Sequence, residues 1–130
     1  MPAGEAFTAR QADDILRAIR LGESSAGMHI RVYVGELVGD ARVAATRLHA
    51  ACGSDVADTV LVAVDPGSRS VEVVTGAAVA RRLHDRDCLL ATMAMTTAFS
   101  AGDLAGGIIN GVRALAEHAR APQSLHRDTP

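Results

Sequence analysis

The chain has 130 residues, enough for one domain, with 48% hydrophobic and 22% charged residues. Its formal net charge is -2 and its 13 basic residues are all arginine, so no basic footprint for nucleic-acid phosphates is visible and lysine chemistry, whether a Schiff base or a P-loop, is excluded. Aromatic residues amount to 2%, namely Phe7, Tyr33 and Phe99, which leaves no platform for stacked bases and a core of Val, Leu, Ile, Ala and Met.

No apolar run approaches the ~20 residues of a membrane helix. The first residues lack the basic-then-apolar pattern of a signal peptide. The two cysteines, Cys52 and Cys88, lack CxxC spacing. Reduced thiols and a cytoplasmic location are the expectation.

Residues 1–7 read as a short flexible start. Thr8-Ala-Arg-Gln11 matches a capping box. Ala12, Ile15, Leu16 and Ile19 then recur at helical spacing, and Gly22 offers a stop, which predicts a helix over 9–21. Residues 28–34 alternate, with Ile30, Val32 and Val34 on one face and His29, Arg31 and Tyr33 on the other, as in a half-buried strand. Gly39-Asp40 caps a second helix running to Ala51, with Ala44, Leu48 and Ala51 inward, and Gly53 ends it.

Residues 60–64 are continuously apolar, the pattern of a strand covered on both faces. Asp65-Pro-Gly-Ser68 places Pro and Gly at the centre of a turn, and 69–75 form a third strand. The short turn makes the last two strands antiparallel; the intervening helix makes the first two parallel. Asp85 can cap a helix bearing Leu89, Leu90 and Met93. Asp103 can cap another bearing Leu104, Ile108, Val112 and Leu115. Gly106, Gly107 and Gly111 inside that helix suggest close packing on the sheet. The segment from Ala121 carries two prolines and no apolar period, and reads as disordered. The predicted fold is a single α/β domain at 8–119, a mixed three- to four-stranded sheet between helices, with flexible termini at 1–7 and 121–130.

Several segments resemble the TPM domain family in order. Asp58-Thr-Val-Leu-Val-Ala-Val-Asp65 is similar to its D-x-G-V-L-L-V-V strand. Arg69-Ser-Val-Glu-Val-Val-Thr-Gly76 is similar to its R-x-V-x-I-x-x-G strand, and Leu83-His-Asp85 falls at its L/V-x-D element. The stretch Ala98-Phe-Ser-Ala-Gly-Asp-Leu-Ala-Gly-Gly-Ile-Ile-Asn-Gly-Val-Arg-Ala-Leu115 resembles A-F-x-x-x-D-L-A-G-G-L-x-x-G-V-x-A-L, the most specific of the set. The family's G-Y-G-L-E-G loop is here Thr75-Gly-Ala-Ala-Val-Ala80, keeping only Gly76. The chain resembles a compact cytoplasmic branch of the family from high-GC bacteria. Some TPM domains are described as calcium binders and some as acid phosphatases.

The predicted topology gathers Glu23, Asp58, Thr75-Gly76 and Asp85 at one end of the sheet. Carboxylates there suit a hard cation, so Asp58 and Asp85 are the candidate metal ligands, and Glu23, Thr75, Gly76 and Arg81 a candidate binding surface. The structural alternative makes Asp58 a loop end, Asp85 a helix cap and Gly76 a turn. No cofactor is required; Ca²⁺ or Mg²⁺ held weakly is what the resemblance implies. The sequence offers no catalytic residue. Asp85-Arg-Asp87 does not follow a buried strand as a haloacid-phosphatase nucleophile does. No Cys-x₅-Arg loop and no Gly-x-Ser-x-Gly elbow exists. His29, His49, His84, His118 and His126 show no metal-ligand spacing. Arg81-Arg82 reads as an anion contact or a solvated face. Cys88, early in a helix, is either a lowered-pKa thiol or a buried inert one. The leading reading is a non-enzymatic binding or scaffold module for a protein partner or a weakly bound divalent cation, with a metal-dependent acid phosphatase acting on phosphate monoesters as the alternative. The partners expected are an unidentified protein, no nucleic acid and no membrane, with the chain a monomer or weak homo-oligomer.

Overall fold

A computed structural model describes residues 7–120. Four helices and three strands follow in the order α1 (Ala9–Ala26), β1 (His29–Val34), α2 (Ala41–Ala50), β2 (Thr59–Asp65), β3 (Ser70–Thr75), α3 (Asp85–Ser100) and α4 (Leu104–Arg120), with short 3-10 segments at Gly53–Asp58 and Val79–Arg81. The sheet order is β1-β2-β3. As the sequence predicts, β2 is central, parallel to β1 and antiparallel to β3. Every β2 residue is buried. One face of the sheet, carrying Ile30, Val60, Val62, Val64, Val71 and Val73, packs with α1, α3 and α4 in the main core. The other, carrying Leu61, Ala63 and Val74, meets a smaller cluster of Leu37, Ala45, Ala44 and Leu48 under α2. A strand between two covered faces has no solvent side to supply polar residues, hence the unbroken Val-rich run.

Three predicted caps are present. The Gln11 N–H donates to Thr8 Oγ1 at 3.1 Å, with Gln11 reaching back to the Thr8 N–H. The Val43 N–H donates to Asp40 Oδ1 and the Gly106 N–H to Asp103 Oδ1. The stop at Gly22 is a correction. Helix α1 runs five residues past the expected end at 21, to Ala26, and Gly27 ends it in the left-handed region at φ 67°. Gly22 is buried mid-helix because a Cβ there would sit 2.9 Å from the Ile30 side chain and 3.2 Å from Ala116. The buried row is Ile15, Ala18, Gly22 and Ala26, the last three of them small residues that let α1 lie close to α4; Ala12 and Leu16 are exposed. In α2 the deepest residues are Ala45 and His49, while Ala51 is exposed.

The start of α3 differs too. His84, extended, is the N-cap, and its N–H donates to Asp87 Oδ2 at 3.0 Å, so Asp85 is the first helical residue and caps nothing. Leu89, Leu90 and Met93 are 58%, 46% and 55% exposed; Ala91 and Met95 face inward. Gly107 and Gly111 of α4 do approach a neighbour closely, but it is α3 and not the sheet, while Gly106 sits against its own cap, Asp103. A Cβ at Gly107 would meet the Phe99 ring at 2.6 Å, and one at Gly111 the Met95 sulfur at 2.5 Å. Phe7, assigned from sequence to a flexible start, packs against the main core. The expectations for 1–6 and 121–130 fall outside the described residues.

Candidate functional site

Strand register places the starts of β1 and β2 and the end of β3 side by side. His29 pairs with Thr59, and Val60 with Thr75. Because the Gly35 N–H donates to Val64 O, odd-numbered β1 residues face β2 and even-numbered ones face the open edge. Glu23, in the last turn of α1, covers the first of those open groups: the Ile30 N–H donates to Glu23 Oε2 at 2.9 Å. Glu23 and the exposed Asp58, with Arg20 and His29, line one shallow open depression of about 650 Å³.

Gly76 belongs to this end as backbone. Its N–H donates to Thr59 O at 2.9 Å, and the Ala78 N–H donates to Ala57 O at 2.9 Å. A Cβ at Gly76 would collide with the carbonyl oxygens of Val56 and Ala57, so only glycine fits the approach of the two segments. Thr75 is half-buried at the strand end, while Arg81 and Asp85 are exposed and do not line the depression. The expected convergence thus reduces to Glu23 and Asp58 over the Thr75-Gly76 backbone. Among the described residues, no group of three or more His, Cys, Asp or Glu side chains is placed to hold a metal ion.

Arg82 has a role the sequence reading missed. Its guanidinium donates to the carbonyls of Ala26 and Ala119, tying the C-terminal ends of α1 and α4 beside the start of β1. A cation at two helix C-termini also complements both dipoles. No local motif signals this, since the partners are 56 and 37 residues away.

At the opposite end of the sheet stands Asp65, 7% exposed. Oδ2 accepts from the Leu37 N–H at 2.9 Å, and Oδ1 from the N–H groups of Gly67 and Ser68 at 3.1 and 3.3 Å. The Leu37 bond chiefly holds its carboxyl below the usual range, against the opposing effect of burial. The turn closes between the Arg69 N–H and Pro66 O, one residue later than the sequence suggests, and puts Arg69 in the left-handed region at φ 57°. That conformation costs a non-glycine residue roughly 1 kcal/mol.

The remaining candidates are structural. Burial, then Asp87 and Asp85, push the Cys88 thiol up, which removes the activated-thiol reading. His49 is buried and its Nε2–H donates to Thr59 O at 2.9 Å. His84 and His118 are not merely scattered: their Nδ1 atoms lie 3.7 and 3.3 Å from the two oxygens of Asp87, joining the start of α3 to the last turn of α4. His126 lies outside the described residues.

These features define an α/β/α domain with a charged, shallow depression at the N-terminal ends of its parallel strands. The chain belongs to the family described as a domain of unknown function, DUF5130, whose model matches residues 2–116. Its fold is similar to the NMR structure of the BA42 protein from the psychrophilic bacterium Bizionia argentinensis, with 18% identity, a TM-score of 0.79, and 91% of this chain and 84% of that one covered. It is also similar to the N-terminal domain of the cg2496 protein from Corynebacterium glutamicum, at 17% identity and TM-score 0.73, over 94% of this chain and 81% of that one. At these identities the likeness carries the fold alone; the TPM likeness rests on the sequence motifs. No helix among the described residues is long and apolar enough to cross a membrane.

Proposed function

We propose that the protein is a TPM-like, non-enzymatic binding module that works through the Glu23–Asp58 depression and takes a divalent cation there weakly. The observation that carries this reading is the placing of two carboxylates from different elements over one open surface. Together they offer four oxygens, and Glu23 Oε2 already accepts the Ile30 N–H. A Ca²⁺ site wants roughly six to eight oxygens, so affinity falls at about 10⁻⁴–10⁻³ M, and Arg20 on the same surface weakens it further. Such affinity suits Mg²⁺ at cellular levels better than calcium sensing. The same mixed-charge rim suits a polar segment of a protein partner.

Titration with Mg²⁺ and with Ca²⁺, followed by backbone amide shifts, tests this. The expected result is saturable shifts clustered at Glu23, Ile30, Asp58 and Gly76. Shifts elsewhere, or none at millimolar metal, would return both carboxylates to structural roles. Turnover of a chromogenic phosphate monoester that disappears in Asp58→Asn would overturn the non-enzymatic reading in favour of a phosphatase.

A further inference from the structure

At the other end of the sheet, the hairpin turn and the α3–α4 connection border a partly open cavity of about 440 Å³, lined by Asp65, Pro66 and Arg69 from the turn and by Thr96, Phe99, Ser100, Gly102 and Leu104 from the two helices and their connection. This volume lies in the range of small-molecule pockets. Its walls divide by chemistry. The Phe99 ring and Leu104 are half-buried and pack against the main core, forming an apolar floor. Arg69 and Ser100 are exposed at the rim.

The charge at this rim is unmatched. Among the described residues no carboxylate lies in ion-pair range of Arg69. Asp65 is the acid beside it, yet three backbone N–H groups occupy its oxygens and offset part of its charge, and it makes no ion pair with the guanidinium. The turn also holds Arg69 where glycine is the natural occupant. A long cation kept at a strained position, over an apolar floor, is suited to a ligand with an anionic head and a hydrophobic body.

The geometry points to a binding site for a small monocarboxylate with an aromatic or branched aliphatic body, its carboxylate on the Arg69 guanidinium and the Ser100 hydroxyl and its body against Phe99 and Leu104. A guanidinium presents two parallel N–H donors that match a carboxylate in the bidentate manner. The site lies at the carboxyl ends of the parallel strands, opposite to the Glu23–Asp58 depression, and does not depend on the cation reading.

Phenylacetate is a suitable probe, with phenylacetamide as its neutral counterpart and inorganic phosphate as an anion without a body. Titrated into the full-length protein, phenylacetate should give saturable amide shifts at Arg69, Phe99, Ser100 and Leu104. Phenylacetamide should bind about tenfold more weakly, the equivalent of one good charge contact. Arg69→Gly is the informative variant, because glycine accepts the left-handed turn and leaves the fold intact. It should bring the two probes to equal, weak binding. Absence of saturable shifts with phenylacetate would overturn the assignment. So would equal binding of phenylacetate and phenylacetamide by the parent, undiminished binding in Arg69→Gly, or phosphate binding as tight as phenylacetate at the same amides.

Discussion

The two ends of the sheet each carry a carboxylate that accepts a backbone N–H, and they use it differently. Asp65 is buried and engaged by three N–H groups. Glu23 is half-buried and engaged by one, while Asp58 beside it is exposed. A carboxylate whose oxygens are filled by the backbone contributes to stability and has little capacity left for a ligand. One with open oxygens contributes little to stability and keeps that capacity. By this test the open carboxylate oxygens at the strand starts are those of Glu23 and Asp58, and the unpaired polar group at the far end is Arg69 and not Asp65.

The largest effect that separates the ends should come from Asp65→Ala. It leaves the Leu37 N–H without its partner in a buried position and releases two turn donors, at a cost of about 3 kcal/mol. The pH dependence has a definite sign. Because the folded-state carboxyl is held below its ordinary value, its stabilisation is fully present above the unfolded pKa of about 3.9 and fades as pH falls through the lower folded value. Urea melts at neutral pH and near pH 3 should show the gap between parent and variant narrowing on acidification. A gap that stays constant would mean the carboxylate is not what stabilises the turn.

At the near end the largest effect belongs to a residue with no charge at all. Gly76→Ala drives a methyl into two backbone carbonyls that cannot swing aside as a side-chain tip can, and should cost about 2 kcal/mol. Thermal melts check this. Should Gly76→Ala melt like the parent, the close approach of β3 to the 3-10 segment is looser than described, and the Thr59–Gly76 pairing does not define the depression. Arg82→Gln follows at about 1 kcal/mol, since it loses the fork that holds the Ala26 and Ala119 carbonyls. Hydrogen exchange should show the ends of α1 and α4 opening faster while the sheet is unaffected.

How legible these features were follows the range of the forces behind them. The central strand was visible because burial on both faces writes itself into a run of adjacent residues, 60–64. The caps at Thr8, Asp40 and Asp103 were visible because donor and acceptor are three residues apart. Gly22 misled because its reason for being glycine, the nearness of Ile30 and Ala116, is tertiary, while Gly27 ends the helix five residues on. Asp85 misled by one position, since Asp87 and not Asp85 reaches back over the α3 start. The pairing of Glu23 with Asp58 was legible from strand directions alone. The inclusion of Asp85 was not, because it depended on the path of 76–84, where a 3-10 segment and two deeply buried residues, Val79 and Leu83, redirect the chain. Arg69 was legible only as the first residue of the β3 motif, since its place at the cavity rim depends on a turn one residue out of the expected register and on helices far from it in sequence.

The smallest expected effect on stability is the most telling for function. Glu23→Gln keeps an oxygen that can accept the Ile30 N–H, so the cover over the β1 edge persists and stability should change by no more than about 0.5 kcal/mol. What it removes is one negative charge from a surface where Arg20 already offsets part of the acidic character. If the depression holds Mg²⁺ or Ca²⁺, the amide shifts at Asp58 and Gly76 should need about tenfold more metal in this variant, because a neutral amide oxygen replaces a charged ligand. The unliganded spectra of variant and parent should otherwise overlay. Unchanged metal response in a variant that folds like the parent would show that Glu23 serves only the strand edge. The two ends of the sheet would then differ in degree of saturation and not in kind.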